Sequence, residues 1–281
     1  MQTISDIKLR TTQSRRVVPA VKLTAHRNQQ TTQQSKKENV MKTNIYSRLK
    51  PHDEAERGVE HHLQNLPKIG SIICKHNLNK QVGICLLHKH FDVSASERLV
   101  TRAAADYWCC EPLVVRNESI TPCSWMIARD PATGELCWHP IEYFLNTPEF
   151  ARKAKIANTV LRNQLFLKEI AGAIDELELG DVFGLSLLDN STDALAEGEG
   201  WFEVSSESER KMILCKVPTE KIRTIKAGTT VWDFTPVTGA LPRHLTVQAC
   251  WFGSSRCCCG LSVGTKEILI RIGSSAANLF N

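Results

Sequence analysis

The sequence predicts an α+β fold, in which a mostly antiparallel sheet packs against one long helix behind a disordered N-terminal tail. Short β-branched and apolar runs, separated by turn residues, recur through the body of the chain and predict the strands. One segment, about 148–178, carries apolar residues at helical spacing. The first fifty residues are polar and contain a single aromatic residue, Tyr46, which is typical of a disordered segment.

The tail also differs from the body in charge. The 281-residue chain has 35 Lys and Arg and 30 Asp and Glu residues; eleven of the former and two of the latter lie in residues 1–50, which therefore carry +9 against −4 for the remainder. We predict a disordered basic tail over 1–50 and a single α+β domain over 51–281. The tail has three interpretations: a solvated extension, a mitochondrial presequence or a nucleic-acid-binding arm.

Composition excludes several protein classes. No apolar stretch approaches the roughly 20 residues that span a bilayer, and no secretory signal peptide is visible. We therefore expect a cytoplasmic protein, with mitochondrial import by a presequence as the alternative. The eleven cysteines are then predicted to be thiols rather than a disulfide framework. The apolar fraction of 42% is enough for a hydrophobic core.

Two hairpins are predicted in the first half of the body. Residues 69–75 are β-branched and apolar, 77–80 have turn composition, and 82–93 continue as a strand whose apolar first part suggests a central position. The second hairpin joins 125–128 to 136–144 through the turn residues 130–134.

A long helix follows over about 148–178. Thr147 is an acceptable N-cap, Pro148 suits the first helical position, and Gly180 is a reasonable stop signal. The helix is expected to break near Asn163. After it come an acidic, glycine-containing loop at 189–200 and further predicted strands, at 182–188, 201–204, 211–217, 229–234, 245–252 and 266–272.

A weak internal echo links two parts of the body. Residues 82–87 resemble 183–188, and a second similarity relates 91–98 to 202–210. Chance similarity between apolar strands is one explanation. The other is a duplication, with two related halves at about 55–146 and 180–281.

The clearest candidate for chemistry is a histidine-bearing strand end. In a strand, residues two apart share a face, so His88, His90 and Asp92 are expected to project together. Imidazole and carboxylate groups in this arrangement can chelate Zn, Mn or Fe, and a metal-bound water would be the nucleophile. Glu97 and His244 are further candidate ligands. The alternative is a polar strand end whose imidazoles bind nearby backbone groups.

Three resemblances involve this segment. The run from His88 to Val93 resembles the first half of the metallo-β-lactamase motif His-x-His-x-Asp-His, with Val93 at the final histidine, which implies a hydrolytic metal site. Cupin motifs are similar to residues that occur here in the same order, which implies a metal site: Gly83, His88, His90 and Glu97, then Gly228, Pro236, Gly239 and His244. The run also resembles a Gly-x-x-Leu-Leu-His-x-His-Phe segment of filamentous-fungal proteins, which implies no function.

A second candidate is the thiol group of Cys257, Cys258 and Cys259, next to Arg256. A neighbouring guanidinium lowers the pKa of a thiol, so these three are predicted redox-sensitive thiols, with buried inert cysteines as the alternative. Phosphate-binding loops, dinucleotide fingerprints and serine-hydrolase motifs are absent from the sequence.

Three functions remain open. A non-catalytic protein that binds a protein or small-molecule partner is slightly favoured, because no complete catalytic set is visible. A metal-dependent hydrolase or oxygenase centred on the His-x-His-x-Asp segment is the second. The third is nucleic-acid association, through residues 1–50 alone, since the body is net acidic.

Overall fold

The computed structural model describes residues 44–104, 107–188, 199–224 and 227–252. Within them it has ten strands: β1 (Val82–Leu86), β2 (Arg98–Ala103), β3 (Tyr107–Leu113), β4 (Ile120–Arg129), β5 (Leu136–Leu145), β6 (Phe183–Leu187), β7 (Glu199–Ser206), β8 (Lys211–Pro218), β9 (Gly228–Val237) and β10 (Ala240–Phe252). The α-helices are α1 (His52–Val59), α2 (Leu66–Lys75), α3 (Ala151–Arg162), α4 (Gln164–Glu176) and α5 (Thr219–Thr224). Short 3-10 turns occupy Tyr46–Arg48, Glu60–Asn65, Asn117–Ser119 and Pro148–Phe150.

The ten strands form a closed barrel in the order β1-β6-β4-β5-β2-β3-β8-β7-β10-β9. Neighbours are antiparallel except in two pairs, β2 with β5 and β7 with β10, which are parallel. The predicted α+β class is confirmed. Closure into a barrel, which leaves no unpaired sheet edge, is an additional finding.

Helices α2 and α4 pack against each other, and α2 also lies against β9, β10 and β1. Ile69 and Ile73 of α2 and Ile170 and Ile174 of α4 are fully buried, and they share a hydrophobic cluster with Ile84 of β1. Their spacing of four residues places each pair on one helix face. The helices therefore bury one side of β1, while Cys85 and Leu87 belong to a second cluster.

Several predicted elements need correction. Residues 69–75 are helical rather than extended, because the isoleucines recur at helical spacing against the barrel. The strand predicted over 82–93 ends at Leu86. The helix predicted over 148–178 is confirmed, together with its break near Asn163: it consists of a 3-10 turn and two helices, α3 and α4, and the side chain of Asn163 between them accepts a hydrogen bond from the Phe166 amide at 3.2 Å. Strands β2 and β3 have no counterpart in the prediction.

The hairpin and most of the later strands are predicted correctly. The hairpin over 125–144 is confirmed as β4 and β5, as are strands at the positions of β6 to β10. The packed region begins before residue 51, since Tyr46 is 1% exposed. Three predicted segments lie wholly or mostly outside the described residues: the tail (1–43 of it), the acidic loop (189–198 of it) and the strand at 266–272. No helix in the described part of the chain is long and apolar enough to cross a membrane.

The barrel consists of two halves, β1–β5 and β6–β10, with the same arrangement of strands. When each strand of the first half is exchanged for the corresponding strand of the second (β1 for β6, β2 for β7 and so on), the order around the barrel is unchanged except that it runs in the opposite direction. The β1–β6 register is centred on the pair Ile84 and Leu185, and reciprocal amide bonds of 2.8 Å flank it, from Leu87 to Val182 and from Leu188 to Gln81. The two halves are therefore related by an approximate two-fold axis through this pair.

The matching extends to the turns that precede these strands. Asn77, after α2, and Glu178, after α4, have left-handed backbone with φ of 56° and 57°. Both turns end with two amides bonded to one leucine carbonyl, that of Leu78 or Leu179. The helix, turn and strand of the first half thus have an equivalent in the second. The further similarity of 91–98 to 202–210 does not join equivalent positions, because 202–206 belongs to β7, whose counterpart is β2.

Candidate metal centre

Two histidines just beyond β1 turn one ring nitrogen each toward the same point. His88 Nδ1 lies 2.9 Å from the Leu86 carbonyl oxygen, to which it donates. His90 Nδ1 lies 3.0 Å from Ser205 Oγ. These contacts occupy both Nδ1 atoms, and the two Nε2 atoms face each other at 3.0 Å. Fixing Nδ1 in this way leaves Nε2 to bind a metal.

A buried carboxylate and a thiol complete the group. Glu203 lies in β7 and Cys250 in β10, and the parallel pairing of these strands places them directly side by side. Glu203 Oε1 lies 2.5 Å from His90 Nε2 and 3.8 Å from His88 Nε2. Cys250 Sγ lies 4.0 Å from His90 Nε2. One ligand atom from each of the four residues falls within 4.8 Å of every other.

A tetrahedral ion would fit between these four atoms after small shifts of the side chains. Ligands at about 2.0–2.3 Å from such an ion are separated from one another by about 3.3–3.7 Å. The Nε2–Nε2 distance of 3.0 Å and the Sγ–Nε2 distance of 4.0 Å lie on either side of this range. So do the two distances from Glu203 Oε1. Two nitrogens, one oxygen and one sulfur form a donor set typical of zinc.

The electrostatics place an ionised carboxylate beside two different imidazoles: burial lowers the pKa of His90, whereas at His88 the contacts with Glu203 outweigh burial and raise the pKa. Burial alone would raise the pKa of Glu203, but His90 and His88 outweigh it and hold the pKa well below its usual range. Burial, with Glu203 nearby, raises the pKa of the Cys250 thiol well above its usual range. Without a cation Cys250 is therefore a protonated thiol. A metal ion would favour its thiolate, because a coordinated thiol loses its proton.

A third imidazole lies against the pair. The His52 ring, from α1, meets the His88 ring edge-on with 4.9 Å between centroids. Burial, then His88 and His90, lowers the pKa of His52 to about 3, so this ring is neutral. Its Nε2 atom is buried, with no hydrogen-bond partner among the described residues. His52 shields one side of the metal centre from water.

A polar cavity adjoins the centre inside the barrel. His88 and Glu203 line it together with Glu142 of β5 and Thr230 of β9. Ser124 Oγ donates to Glu142 Oε2 at 2.8 Å. Burial, then Glu203, raises the pKa of Glu142. The site thus combines one ionised carboxylate at the ligand position with a second carboxyl group across the cavity.

The structure brings together two of the five residues predicted as ligands. His88 and His90 belong to the group. Asp92 is exposed and pairs with Lys89 at 2.7 Å, because the chain leaves the strand after Leu86 and the alternation of faces stops there. Glu97 pairs with Arg210 at 2.6 Å.

The structure does not describe the side chains of the other residues predicted for a site, His244 and the three adjacent cysteines. His244 lies in β10 opposite Phe234, but its side chain lies outside the described part. Cys257, Cys258 and Cys259 also lie outside it. The eight cysteines that are described are free thiols.

Glu203 and Cys250 were not predicted from sequence. Glu203 is a carboxylate between the apolar residues Phe202 and Val204 of β7, and such a residue is costly to bury without a partner. That signal was available. Cys250 carries no comparable signal.

Comparison with known proteins gives no relative: family models, curated proteins and solved structures show no match to this chain.

Proposed function

We propose that the protein is a metal-dependent enzyme, in which His88, His90, Glu203 and Cys250 hold one divalent ion, with zinc the best fit. The observation that carries this proposal is the convergence of four ligand atoms from three separate segments within 4.8 Å, three of the four residues being fully buried. Burying so many polar atoms is costly unless they satisfy one another or a cation. A divalent ion would satisfy all four.

The arrangement favours catalysis over a purely structural ion. Structural zinc sites are usually built from cysteine and histidine alone, whereas a carboxylate ligand is frequent in catalytic sites. Because four protein ligands fill a tetrahedral shell, a water would bind as a fifth ligand, and the adjoining cavity, which His88 and Glu203 line, gives it access to the ion. The best-fitting reaction class is hydrolysis by a metal-bound water. An oxygen-using reaction becomes the alternative if iron or manganese is the bound metal.

A cysteine nucleophile is the main competing chemistry for the same residues. Cys250 with His90 has the composition of a Cys–His pair. Reactive cysteines have a lowered pKa and partial exposure, whereas Cys250 is 1% exposed and its pKa is raised by burial. These properties favour a ligand role.

Metal analysis tests the proposal. We expect the purified full-length chain to contain about one equivalent of metal by elemental analysis, and His90→Ala to contain less than about a tenth of that. His61→Ala removes an exposed imidazole outside the group and serves as the matched control. With Co²⁺ in place of the native ion, Cys250→Ser should lose the thiolate-to-cobalt absorption band. A wild-type chain that takes up no metal would contradict the proposal.

Partner binding without catalysis, and nucleic-acid binding through residues 1–50, stay predictions. Most of the tail lies outside the described residues. A cytoplasmic or mitochondrial location likewise stays a prediction.

A further inference from the structure

Two adjoining cavities beside the proposed metal centre form a chamber inside the barrel, since they share Ser124, Glu142, Ser186, Glu203 and Gln248 in their linings. Their volumes are about 90 Å³ and about 50 Å³, and one water position needs about 10–15 Å³, so the larger one has room for roughly six water-sized groups. The larger cavity is lined by strands all round the barrel and also by the ammonium group of Lys153. This is space for a small polar molecule.

One hydroxyl at the chamber has no partner. Thr230 is 1% exposed, and its Oγ1 atom makes no hydrogen bond within the described part of the chain. It lines the smaller of the two adjoining cavities, together with His88, Glu203 and Glu142. Buried polar atoms nearly always have a partner, whether protein, water or ligand. The Thr230 hydroxyl therefore points to a polar molecule in the chamber.

The pseudo-two-fold axis gives Glu142 a distinct position. Both β4–β5 and β9–β10 have a register shift at corresponding places, and these shifts make Glu142 and Gln248 equivalent. Gln248 Nε2 donates to the ligand residue Glu203 at 2.6 Å. Glu142 is bonded instead to Ser124 and lines the same chamber from the other half. One residue of the pair supports a ligand of the ion, and the other faces the space next to it.

We propose that this chamber binds a small polar molecule bearing carbonyl or hydroxyl oxygens, with one oxygen on the metal and a hydrogen bond from Glu142. The inference rests on the proposed metal site and adds its ligand class. The ligand has about five or six heavy atoms, since larger ones exceed the volume. Glu142 supplies the hydrogen bond from its carboxyl group, and Thr230 supplies a second. Lys153, whose Nζ lies 3.6 Å from the centre of the Trp108 ring, closes the far side of the chamber.

Acetohydroxamate is a suitable probe, because it has five heavy atoms and offers both a carbonyl and a hydroxyl oxygen. We expect its addition to the Co²⁺-loaded full-length chain to change the visible cobalt spectrum saturably. Glu142→Leu should retain one cobalt and its thiolate band but bind the probe about tenfold more weakly, the upper end of the loss expected for a hydrogen bond between neutral groups. Glu142→Gln keeps a hydrogen-bonding group and should stay within about threefold of wild type.

Two further variants control the experiment. Glu135→Leu removes an exposed carboxyl group and should leave probe binding unchanged. Thr230→Val should weaken binding about fivefold, and it decides the outcome if Glu142→Leu does not fold.

The failures are distinguishable. No cobalt uptake would contradict the metal site itself. Cobalt uptake without a spectral response to the probe would overturn the chamber proposal and leave the metal site standing. Equal probe affinity in wild type, Glu142→Leu and Thr230→Val would contradict the hydrogen bonds that the proposal assigns to Glu142 and Thr230.

Discussion

The two halves of the barrel share a backbone plan but differ in chemistry. In each half, the second strand runs parallel to the fifth: β2 pairs with β5, and β7 pairs with β10. In the second half this pairing brings together Glu203 and Cys250. In the first half the corresponding pair is Thr101 and Phe144, which offers no comparable ligands. The repeated backbone therefore provides two similar positions, of which the one in the second half carries side chains that could hold a metal ion.

The metal centre nevertheless needs both halves. His88 and His90 follow β1, whereas Glu203 and Cys250 come from β7 and β10. Because the ligands cross from one half to the other, a bound ion would join them. The pseudo-symmetric barrel therefore puts a single asymmetric site near its interior.

The largest expected effect comes from giving the second half the chemistry of the first. Glu203→Thr installs the residue found at the equivalent position, Thr101. Structural zinc sites provide about 10–16 kcal/mol in all, so one of four ligands accounts for about 3 kcal/mol, and we expect roughly 100-fold weaker zinc binding. Competition with a chelator of known affinity measures this change.

Thr101→Val is the matched control for that experiment, since it alters the equivalent position in the first half. It should leave zinc affinity unchanged. Unchanged affinity in Glu203→Thr would show that the carboxylate is not a ligand.

How far the sequence predicts these features depends on how local they are. The β4–β5 hairpin is readable because the turn residues 130–134 lie between two apolar runs. Helix α2 is misread because Ile69, Ile72 and Ile73 have high β propensity. The echo of 82–87 in 183–188 has an offset of 101 residues, and the same offset places Leu66, Ile69 and Ile73 on Leu167, Ile170 and Ile174. Extending the echo would have indicated a helix.

The residues of the candidate site also divide into those that are close in sequence and those that only the fold brings together. His88 and His90 are two residues apart, so the sequence alone shows them to be neighbours. Glu203 and Cys250 lie far from them in sequence and meet them only through the β7–β10 pairing and barrel closure. No local pattern shows that either residue meets the two histidines. Asp92 was predicted on the assumption that the strand continues, which it does not.

A second prediction tests the equivalence of the two halves at their shared axis. A Cβ atom on Gly83 would collide with the Trp232 carbonyl oxygen, and one on Gly184 with the Trp125 carbonyl oxygen. Overpacking of this kind costs about 1–3 kcal/mol. We expect Gly83→Ala and Gly184→Ala to lower the free energy of unfolding by about 2 kcal/mol each, as measured by urea denaturation.

Gly172→Ala is the control for both, because a Cβ on this helical glycine meets nothing within 4 Å. It should stabilise the protein by about 0.5–1 kcal/mol. Strongly unequal costs at Gly83 and Gly184 would argue against equivalent packing in the two halves.

The smallest effect concerns an ion pair that links the halves. Arg210, at the β7–β8 turn, holds both Glu97 oxygens at 3.2 and 2.6 Å, and these hydrogen bonds lower the pKa of Glu97 to about 2. A carboxyl group with a depressed pKa stabilises the fold above its ordinary pKa of about 4.5, and that contribution is lost as pH falls toward 2. We expect Glu97→Gln to lower the urea midpoint at pH 7, with the difference from wild type shrinking below pH 4.5 and vanishing near pH 2. The exposed Glu118→Gln should show no such trend. Because Arg210 is partly exposed and water screens the pair, the effect at pH 7 should be smaller than at either axial glycine; a pH-independent difference would mean that packing, rather than charge, joins the halves here.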